Sequence, residues 1–261
     1  MPTTARLPRR AWVDQIMGLP ISIHLRGPDP TGADAEAAVD SAFAALRHAD
    51  DVFSPYRDDS DLSRWSRGEL DKDAADGTFS EVLTLCDEAR ERTGGWFDCR
   101  RVPAPETGEP RFDPSGLVKG WAAERAAVFL QSLRGYSWCL NAGGDVLVHA
   151  ADDHPDWRVG VENPDDPKTL LHIVSLRTGA VATSGTAHRG HHIVNPHTRR
   201  PAKGARSVTV TGPDLLWSDV YATAAFARGP RSLPWLETLD GYAALVVSTS
   251  GLHQVTAAWP G

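Results

Sequence analysis

The sequence predicts an α+β fold of mixed sheets with packed helices, in a single domain over residues 1–261. Four segments repeat apolar residues at helical spacing, and the runs between them are short and alternate as strands do. The order of these elements lacks the regular strand–helix–strand alternation of a doubly wound parallel sheet. With 261 residues, 41% of them hydrophobic, the chain is long enough to bury a sizeable core.

The first half is predicted to contain a hairpin and two helices. Residues 12–25 are predicted to form a strand or a hairpin that is broken at Gly18-Leu19-Pro20, and apolar residues alternate after the break. Helical spacing follows over 33–50. A second helix is expected from an N-cap at Ser80 to the two glycines at 94–95.

The second half is predicted to alternate helices with groups of strands. A third helix starts near Ser115 and ends by Gly135, with Val118, Ala122 and Phe129 on its inner face. A fourth helix at 214–228 precedes a Gly-Pro pair. The remaining predicted elements are strands at 136–140, 144–149, 157–162, 170–176, 179–183, 207–211, 242–247 and 252–258.

Composition excludes several classes of protein. The net charge is −7 with no block of like charge, which disfavours a nucleic-acid surface. The three cysteines lack CxxC spacing, so neither a disulfide scaffold nor a structural zinc site is expected. We read no signal peptide and no apolar window of about 18 residues, so we expect a cytoplasmic protein without membrane insertion.

Residues 181–201, VATSGTAHRGHHIVNPHTRRP, form a polar block with four histidines and are predicted to belong to a functional site. Zinc bound by His188, His191 and His192 is disfavoured, because adjacent histidines on an extended chain point to opposite faces. A serine hydrolase built on Ser184 would lack the GxSxG elbow. One histidine acting as a general base is the more economical interpretation.

Two helix segments offer groups for anion and metal binding. In FDPSGLVKGWAAE (112–124), a helix start with unpaired N–H groups is followed one turn later by Lys119, a pattern that suits phosphate. The alternative is a capped helix with a solvated lysine. In SDVYATAAF (218–226), Asp219 and Thr223 share one helix face and suit Mg²⁺. The alternative there is an acid that favours the helix dipole beside an indifferent threonine.

Eight segments, taken in order, resemble the ApbE family of FAD:protein FMN transferases. The segments are MGLPISIHL, FSPYRDDSDLSRWSRG, GGWFD, FDPSGLVKGWAAE, LNAGGDV, ATSG, HHIVNPHTRRP and SVTV…SDVYATAAF. The resemblance covers most of the chain and implies a T-fold-related domain. It also implies an enzyme that cleaves FAD, moves FMN onto a Ser or Thr hydroxyl of an acceptor protein, and releases AMP.

The resemblance also implies a role for individual residues. Mg²⁺ would be held by Asp219, Thr223 and the carbonyl of Gly116, and His192 would take the proton of the acceptor hydroxyl. The residues implied to contact FAD are Met17, Tyr56, Phe97, Asp98, Asp113 and Lys119.

The chain departs from the family pattern at its histidine motif. The usual His-x-x-Asp-Pro-x-Thr-Gly becomes His192-Ile-Val-Asn195-Pro-His-Thr-Arg199, so a carboxylate is lost and an arginine replaces a glycine. The stretch between Asp98 and Asp113 is also shorter than usual. Two alternatives therefore stand beside FMN transfer: hydrolysis of FAD to FMN and AMP, and flavin binding without catalysis.

Overall fold

The computed structural model describes residues 7–104, 107–187 and 193–260, and its centre is an eight-stranded antiparallel sheet. The strand order is β1-β2-β5-β6-β9-β12-β13-β14. Their bounds are Arg9–Ile16 (β1), Leu19–Arg26 (β2), Ser137–Ala142 (β5), Asp145–His149 (β6), Thr178–Gly185 (β9), Ala205–Gly212 (β12), Ala243–Ser248 (β13) and His253–Val255 (β14). The predicted α+β class is confirmed.

Three of the long helices cover one face of this sheet. They are α1 (Ala33–Phe53), α4 (Ser115–Gln131) and α5 (Leu215–Arg228). Helix α4 packs between α1 and α5, and α5 lies across β9 and β12. Strand residues that point to this face are apolar at alternate positions, such as Ile21, Ile23 and Leu25, and all three are fully buried. The main core therefore lies between the helices and the sheet.

A separate hairpin covers part of the opposite face. It consists of β7 (Trp157–Asn163) and β8 (Asp166–Leu176). Val161 and Val174 of this hairpin pack with Val181 and Leu245 of the main sheet in a second, smaller core. Successive side chains of a strand point to opposite faces of the sheet, which explains the two cores. Val181 faces the hairpin, whereas its neighbours Ala180 and Ala182 point to the helix side.

One more long helix, α3, and several short elements complete the described parts of the chain. They are α2 (Asp61–Ser66), α3 (Phe79–Arg92), β3 (Val102–Pro103), β4 (Pro110–Arg111), β10 (Val194–Asn195), β11 (Arg200–Pro201), a 3₁₀ turn (Gly229–Arg231) and α6 (Leu233–Leu236). None of the helices in the described ranges is both long and apolar enough to span a membrane.

Several predicted boundaries need correction. The first hairpin turns at Met17-Gly18, and Leu19 and Pro20 already belong to β2. Both turn residues have positive φ (55° and 69°), which a two-residue type I′ turn requires, although methionine rarely adopts it. The second predicted helix, α3, has its N-cap at Thr78 and not at Ser80.

The inner face predicted for the third helix is wrong at Phe129, which is 41% exposed. Small residues take its place against the core, because α1 and α5 pack closely on two sides of α4. They are Ala122, Ala123, Ala126 and Ala127.

One end of the sheet gathers the turns that matter for the site. The turn between β5 and β6 abuts the β1–β2 turn, since the N–H of Gly143 donates to the carbonyl of Pro20 at 3.2 Å. Strand β6 starts at this end and its neighbour β9 finishes there, because the pair is antiparallel. The same end receives Asp145 and Ser184 from these two strands.

Candidate active site

A lysine between two buried carboxylates forms the centre of the candidate site. The Nζ of Lys119 forms an ion pair with Asp145 and lies 3.3 Å from Oδ2 of Asp219. The three side chains are 17%, 3% and 5% exposed. Burial strengthens such interactions, because water screens them less. One cation thus faces two anions in a partly buried cluster, which we call the Lys119 cluster.

Asp145 is a member that sequence reasoning missed. It is the first residue of β6, directly after the Gly143-Gly144 turn. Its Oδ1 accepts the N–H of Thr183 at 2.9 Å, while Oδ2 faces Lys119. A carboxylate that opens the otherwise apolar run DVLV was the available signal, since a buried acid needs partners.

The predicted metal pair lies beside this cluster. Asp219 and Thr223 occupy one face of α5, as their i, i+4 spacing requires. The Oγ1 of Thr223 is 2.9 Å from the Oγ of Ser184, which alternation on β9 turns toward the helices. The arrangement thus offers a carboxylate and two hydroxyls within one short stretch of surface.

Glu124, the last residue of the FDPSGLVKGWAAE segment, fixes α5 relative to α4. Its Oε1 accepts the N–H groups of Leu215 (2.6 Å) and Leu216 (2.8 Å), while Asp214 caps the same helix start through Trp217. Burial raises the pKa of Glu124, and these backbone hydrogen bonds oppose that rise. The helices that carry Lys119 and Asp219 are therefore joined by one side chain.

The start of α4 differs from the predicted anion site. Three of its first four N–H groups already have acceptors: Ser115 donates to Asp113, and Leu117 and Val118 donate to the carbonyl of Pro114. Asp113 is held in turn by Arg111 at 2.8 Å. The positive charge near this helix start therefore comes chiefly from Lys119 rather than from open amides.

The loop after α3 packs against the start of α4. A Cβ at Gly116 would lie 3.4 Å from the ring of Phe97, an ordinary packing distance, so the ring lies directly against the start of α4. The Oδ1 of Asp98 accepts the N–H of Arg100 at 2.9 Å. The next residue, Cys99, accepts the N–H of Asp113 at 2.8 Å, so the structure brings both predicted FAD segments together.

Met17 and Tyr56 lie at the C-terminal end of α1. The N–H of Met17 donates to Asp50 at 3.3 Å, and Tyr56 follows three residues after the last residue of the helix. The ring of Tyr56 is 87% exposed. Neither residue hydrogen-bonds to the Lys119 cluster within the described ranges.

The histidine motif is only partly described. His188, His191 and the predicted base His192 lie outside the described residues. Beyond them, the Oδ1 of Asn195 accepts the N–H groups of His197 (2.9 Å) and Thr198 (3.2 Å). Asn195 thus performs the turn-forming task that a carboxylate would perform.

Arg199, which stands where the family pattern has a glycine, adopts a left-handed backbone conformation. Its φ is 56°, in the left-handed region. The ring of His197 packs edge-on against Trp96 at 4.6 Å, next to a cavity of 730 Å³ that Asp98 also lines. A turn therefore forms at residues 195–199 of this chain with both departures from the family pattern present.

The candidate metal ligands are few. No group of three or more His, Cys, Asp or Glu side chains able to hold a metal occurs in the part of the chain described here. A site built on Asp219, Thr223 and a carbonyl would supply only hard oxygen donors. Mg²⁺ keeps several waters and accepts such a sparse set, whereas zinc prefers nitrogen and sulfur.

Known proteins resemble this chain in sequence. A model described as the ApbE family matches residues 17–106 and 103–246. The FAD:protein FMN transferase of Vibrio cholerae is 26% identical over 274 residues, covering 79% of this chain and 81% of that protein. The protein of the same name from Rhodobacter capsulatus is 32% identical over 145 residues, covering 52% of this chain and 28% of that protein.

Solved structures resemble it in fold. The flavin transferase ApbE of Vibrio cholerae superposes with a TM-score of 0.83 at 21% identity, over 97% of this chain and 98% of that one. The apo flavinyl transferase ApbE of Pseudomonas stutzeri gives 0.82 at 22%, over 98% and 97%. The ApbE protein of Thermotoga maritima gives 0.81 at 21%, over 96% and 97%.

Proposed function

The chain belongs to the ApbE family, and we propose that it transfers FMN from FAD to a Ser or Thr hydroxyl of an acceptor protein and releases AMP. The observation that carries this proposal is the Lys119 cluster beside the hydroxyls of Thr223 and Ser184. Transfer of a phosphoryl-type group depends mainly on positioning and on neutralising charge. A buried cation among oxygen donors suits that task.

Mg²⁺ fits the donor set, with Asp219, Thr223 and the carbonyl of Gly116 as its protein ligands. When bound, it supplies positive charge that stabilises the diphosphate of FAD. Asp219 is buried and would hold its carboxylate in a fixed direction. Ser184 fixes the hydroxyl of Thr223 through their hydrogen bond.

The remaining predicted site residues are assigned to FAD on the family resemblance. Lys119 would pair with the diphosphate, and the exposed ring of Tyr56 offers a planar surface for stacking. Met17, Phe97, Asp98 and the loop at Asp113 would form the rest of the binding surface. The contact between Phe97 and Gly116 supports one continuous wall.

His192 is assigned as the general base on the family resemblance. Imidazole titrates near neutral pH, so it can accept the proton of the acceptor hydroxyl. The hydroxyl oxygen then bonds to the phosphorus of the FMN half, the bond to the AMP phosphate breaks, and AMP leaves. The intact turn at Asn195 and Arg199 supports transfer over flavin binding without catalysis.

Asp219→Asn provides the direct test. We expect it to lower Mg²⁺-dependent cleavage of FAD by about 100-fold or more, because a metal ion supplies several kcal/mol of stabilisation. Purified protein is incubated with FAD and MgCl₂, with and without a candidate acceptor. AMP, FMN and the acceptor mass are then measured by mass spectrometry.

The matched control is Asp240→Asn, an exposed acid outside the site, which should leave the rate unchanged. AMP together with flavinylated acceptor supports transfer, whereas AMP with free FMN in both samples indicates hydrolysis. Full activity of Asp219→Asn, or of the wild type in excess EDTA, would contradict the metal site.

A further inference from the structure

A short basic hairpin stands out on an otherwise acidic protein. Residues 197–206, HTRRPAKGAR, contain four arginines and lysines and no acid, while the whole chain has a net charge of −7. We call residues 194–203, which include β10, β11 and the turn between them, the basic hairpin. The local excess of positive charge needs an explanation.

Three of these cations have no polar partner among the residues that the structure describes. Arg206 is engaged, since it pairs with Asp165 and binds the carbonyl of Thr249. Arg199, Arg200 and Lys203 are exposed, and none of them forms an ion pair or side-chain hydrogen bond with any residue that the structure describes. Their charges are therefore available to an external anion.

Arg199 adopts a strained backbone conformation. Its left-handed φ of 56° is one that glycine adopts freely and that residues with a side chain adopt only at a cost. Strain of this kind tends to persist at functional sites. Since Arg199 has no partner within the described ranges, the fold gains nothing visible from its guanidinium.

The basic hairpin adjoins the candidate active site. A Cβ at Gly229, the residue after α5, would lie 3.0 Å from the carbonyl oxygen of Lys203. Thr223 precedes Gly229 by six residues, about 9 Å along the helix axis. On its other side, His197 touches Trp96, the neighbour of Phe97. A chain that reaches the Lys119 cluster would therefore pass close to these cations.

A concave surface accompanies the charges. A cavity of about 550 Å³ is lined by Asn195, Thr198, Arg200, Pro201, Ala202 and Lys203. Concavity suits a peptide segment better than a bilayer, and the net charge of −7 repels anionic membranes and nucleic acid as a whole. The neighbourhood of the site favours the protein that must present its hydroxyl there.

We infer that the basic hairpin docks an acidic segment of the acceptor protein next to the Ser or Thr that receives FMN. This inference rests on the proposed function and specifies the chemistry of its second substrate. Arg200 and Lys203 supply the charges that line the cavity, and Arg199, between the lining residues Thr198 and Arg200 in the chain, adds a third. Exposed ion pairs give modest affinity but select among partners and accelerate encounter.

The test compares two fluorescein-labelled peptides that each contain one threonine. One has aspartates on both sides of the threonine, and the other has asparagines at the same positions. Fluorescence anisotropy with FAD-loaded protein in EDTA measures binding without turnover. If the two aspartates form exposed ion pairs with the basic hairpin, the aspartate peptide should bind about 5–10-fold more tightly than the asparagine peptide at low salt. This difference should shrink at high salt.

The Arg200→Glu/Lys203→Glu variant should abolish this preference, and Arg199→Gly should weaken it while keeping the turn. The matched control is Arg134→Glu/Lys168→Glu. It reverses two exposed charges elsewhere, one of them beyond the far end of α4, about 25 Å from the helix start. The control should keep the preference, and all variants should keep the wild-type affinity for FAD.

Three results would overturn the inference. The wild type could bind both peptides equally, the double reversal could weaken FAD binding as much as peptide binding, or it could abolish binding to phosphatidylserine vesicles while sparing the peptide. A failure of the proposed function looks different: the aspartate peptide is still preferred in EDTA, but no FMN is transferred when Mg²⁺ is added.

Discussion

Lys119 holds two buried carboxylates together, so the residue that would bind the FAD diphosphate also stabilises the fold. Its ammonium contacts Asp145 and lies 3.3 Å from Asp219. Without it, two acids would face each other in a partly dry environment. Removing one partner of a buried ion pair is far more costly than removing an exposed one.

We expect Lys119→Met to lower the free energy of unfolding by about 3–5 kcal/mol, measured by urea denaturation. Adding Asp145→Asn should recover part of this loss, because one of the two facing charges is then removed. MgCl₂ should stabilise Lys119→Met more than the wild type, since a divalent cation can neutralise Asp219. A variant that unfolds at the wild-type urea concentration would contradict this account.

The same substitution separates the two roles of Lys119. In the folded variant, FAD should bind about 1–3 kcal/mol more weakly, the range for a lost hydrogen bond to a charged group. Riboflavin lacks the diphosphate and should bind as it does to the wild type. Equal loss for both ligands would restrict Lys119 to a structural role.

Helices α4 and α5 are positioned against each other by Glu124, a carboxylate in an apolar setting. It binds the two amides at the start of α5, and its burial raises its pKa above the ordinary value of 4.5. Between the ordinary pKa and the raised one, the folded protein holds a proton that the unfolded chain has lost. In this window the stability of the wild type falls as pH rises.

Glu124→Gln removes this titration and keeps one acceptor oxygen for the helix start. The variant minus wild-type difference in the free energy of unfolding should therefore rise with pH from about 4.5 upward and level off above the raised pKa. Urea denaturation of both proteins at pH 4 to 8 measures it. A difference that stays flat or falls over that range would show that desolvation is not the dominant influence on Glu124.

At the scale of the whole molecule, the sheet separates two hydrophobic cores that differ in whether they support the candidate site. The helix side carries the candidate site, whereas the β7–β8 hairpin packs on the opposite face through Val161 and Val174. The two faces of an antiparallel sheet can pack against different partners, because alternate side chains point in opposite directions. Changes in the helix-side core should therefore affect both stability and FAD binding, whereas changes in the smaller core should affect stability alone.

Val174→Ala and Leu117→Ala test this separation, since both side chains are fully buried. Val174→Ala should lower the free energy of unfolding by roughly 2 kcal/mol and leave FAD affinity unchanged. Leu117→Ala should cost about 2–5 kcal/mol and also weaken FAD binding, because it lies between Gly116 and Lys119. Guanidinium denaturation and FAD titration measure the two effects, and equal losses of FAD affinity would refute the separation.

The sequence by itself determined the fold class, the four long helices and most strands. Helix and strand periods are local properties, so segments such as 33–50 and 207–211 could be located within a few residues. The order of motifs also sufficed to identify the family. Local patterns did not predict correctly which residues are buried where this depends on elements distant in sequence. Phe129 is exposed because alanines on another face of α4 pack against the nearby helices α1 and α5.

Only the tertiary structure decided which polar groups meet. Lys119, Asp145 and Asp219 come from α4, β6 and α5, and the cap that Glu124 provides joins residues 91 positions apart. Likewise, Arg199 could be recognised as a substituted glycine, but its left-handed backbone and its lack of a partner among the described residues became visible only in three dimensions. The physical reason is that periodicity specifies which face of an element is buried, whereas the partner across the core depends on how all the elements pack together.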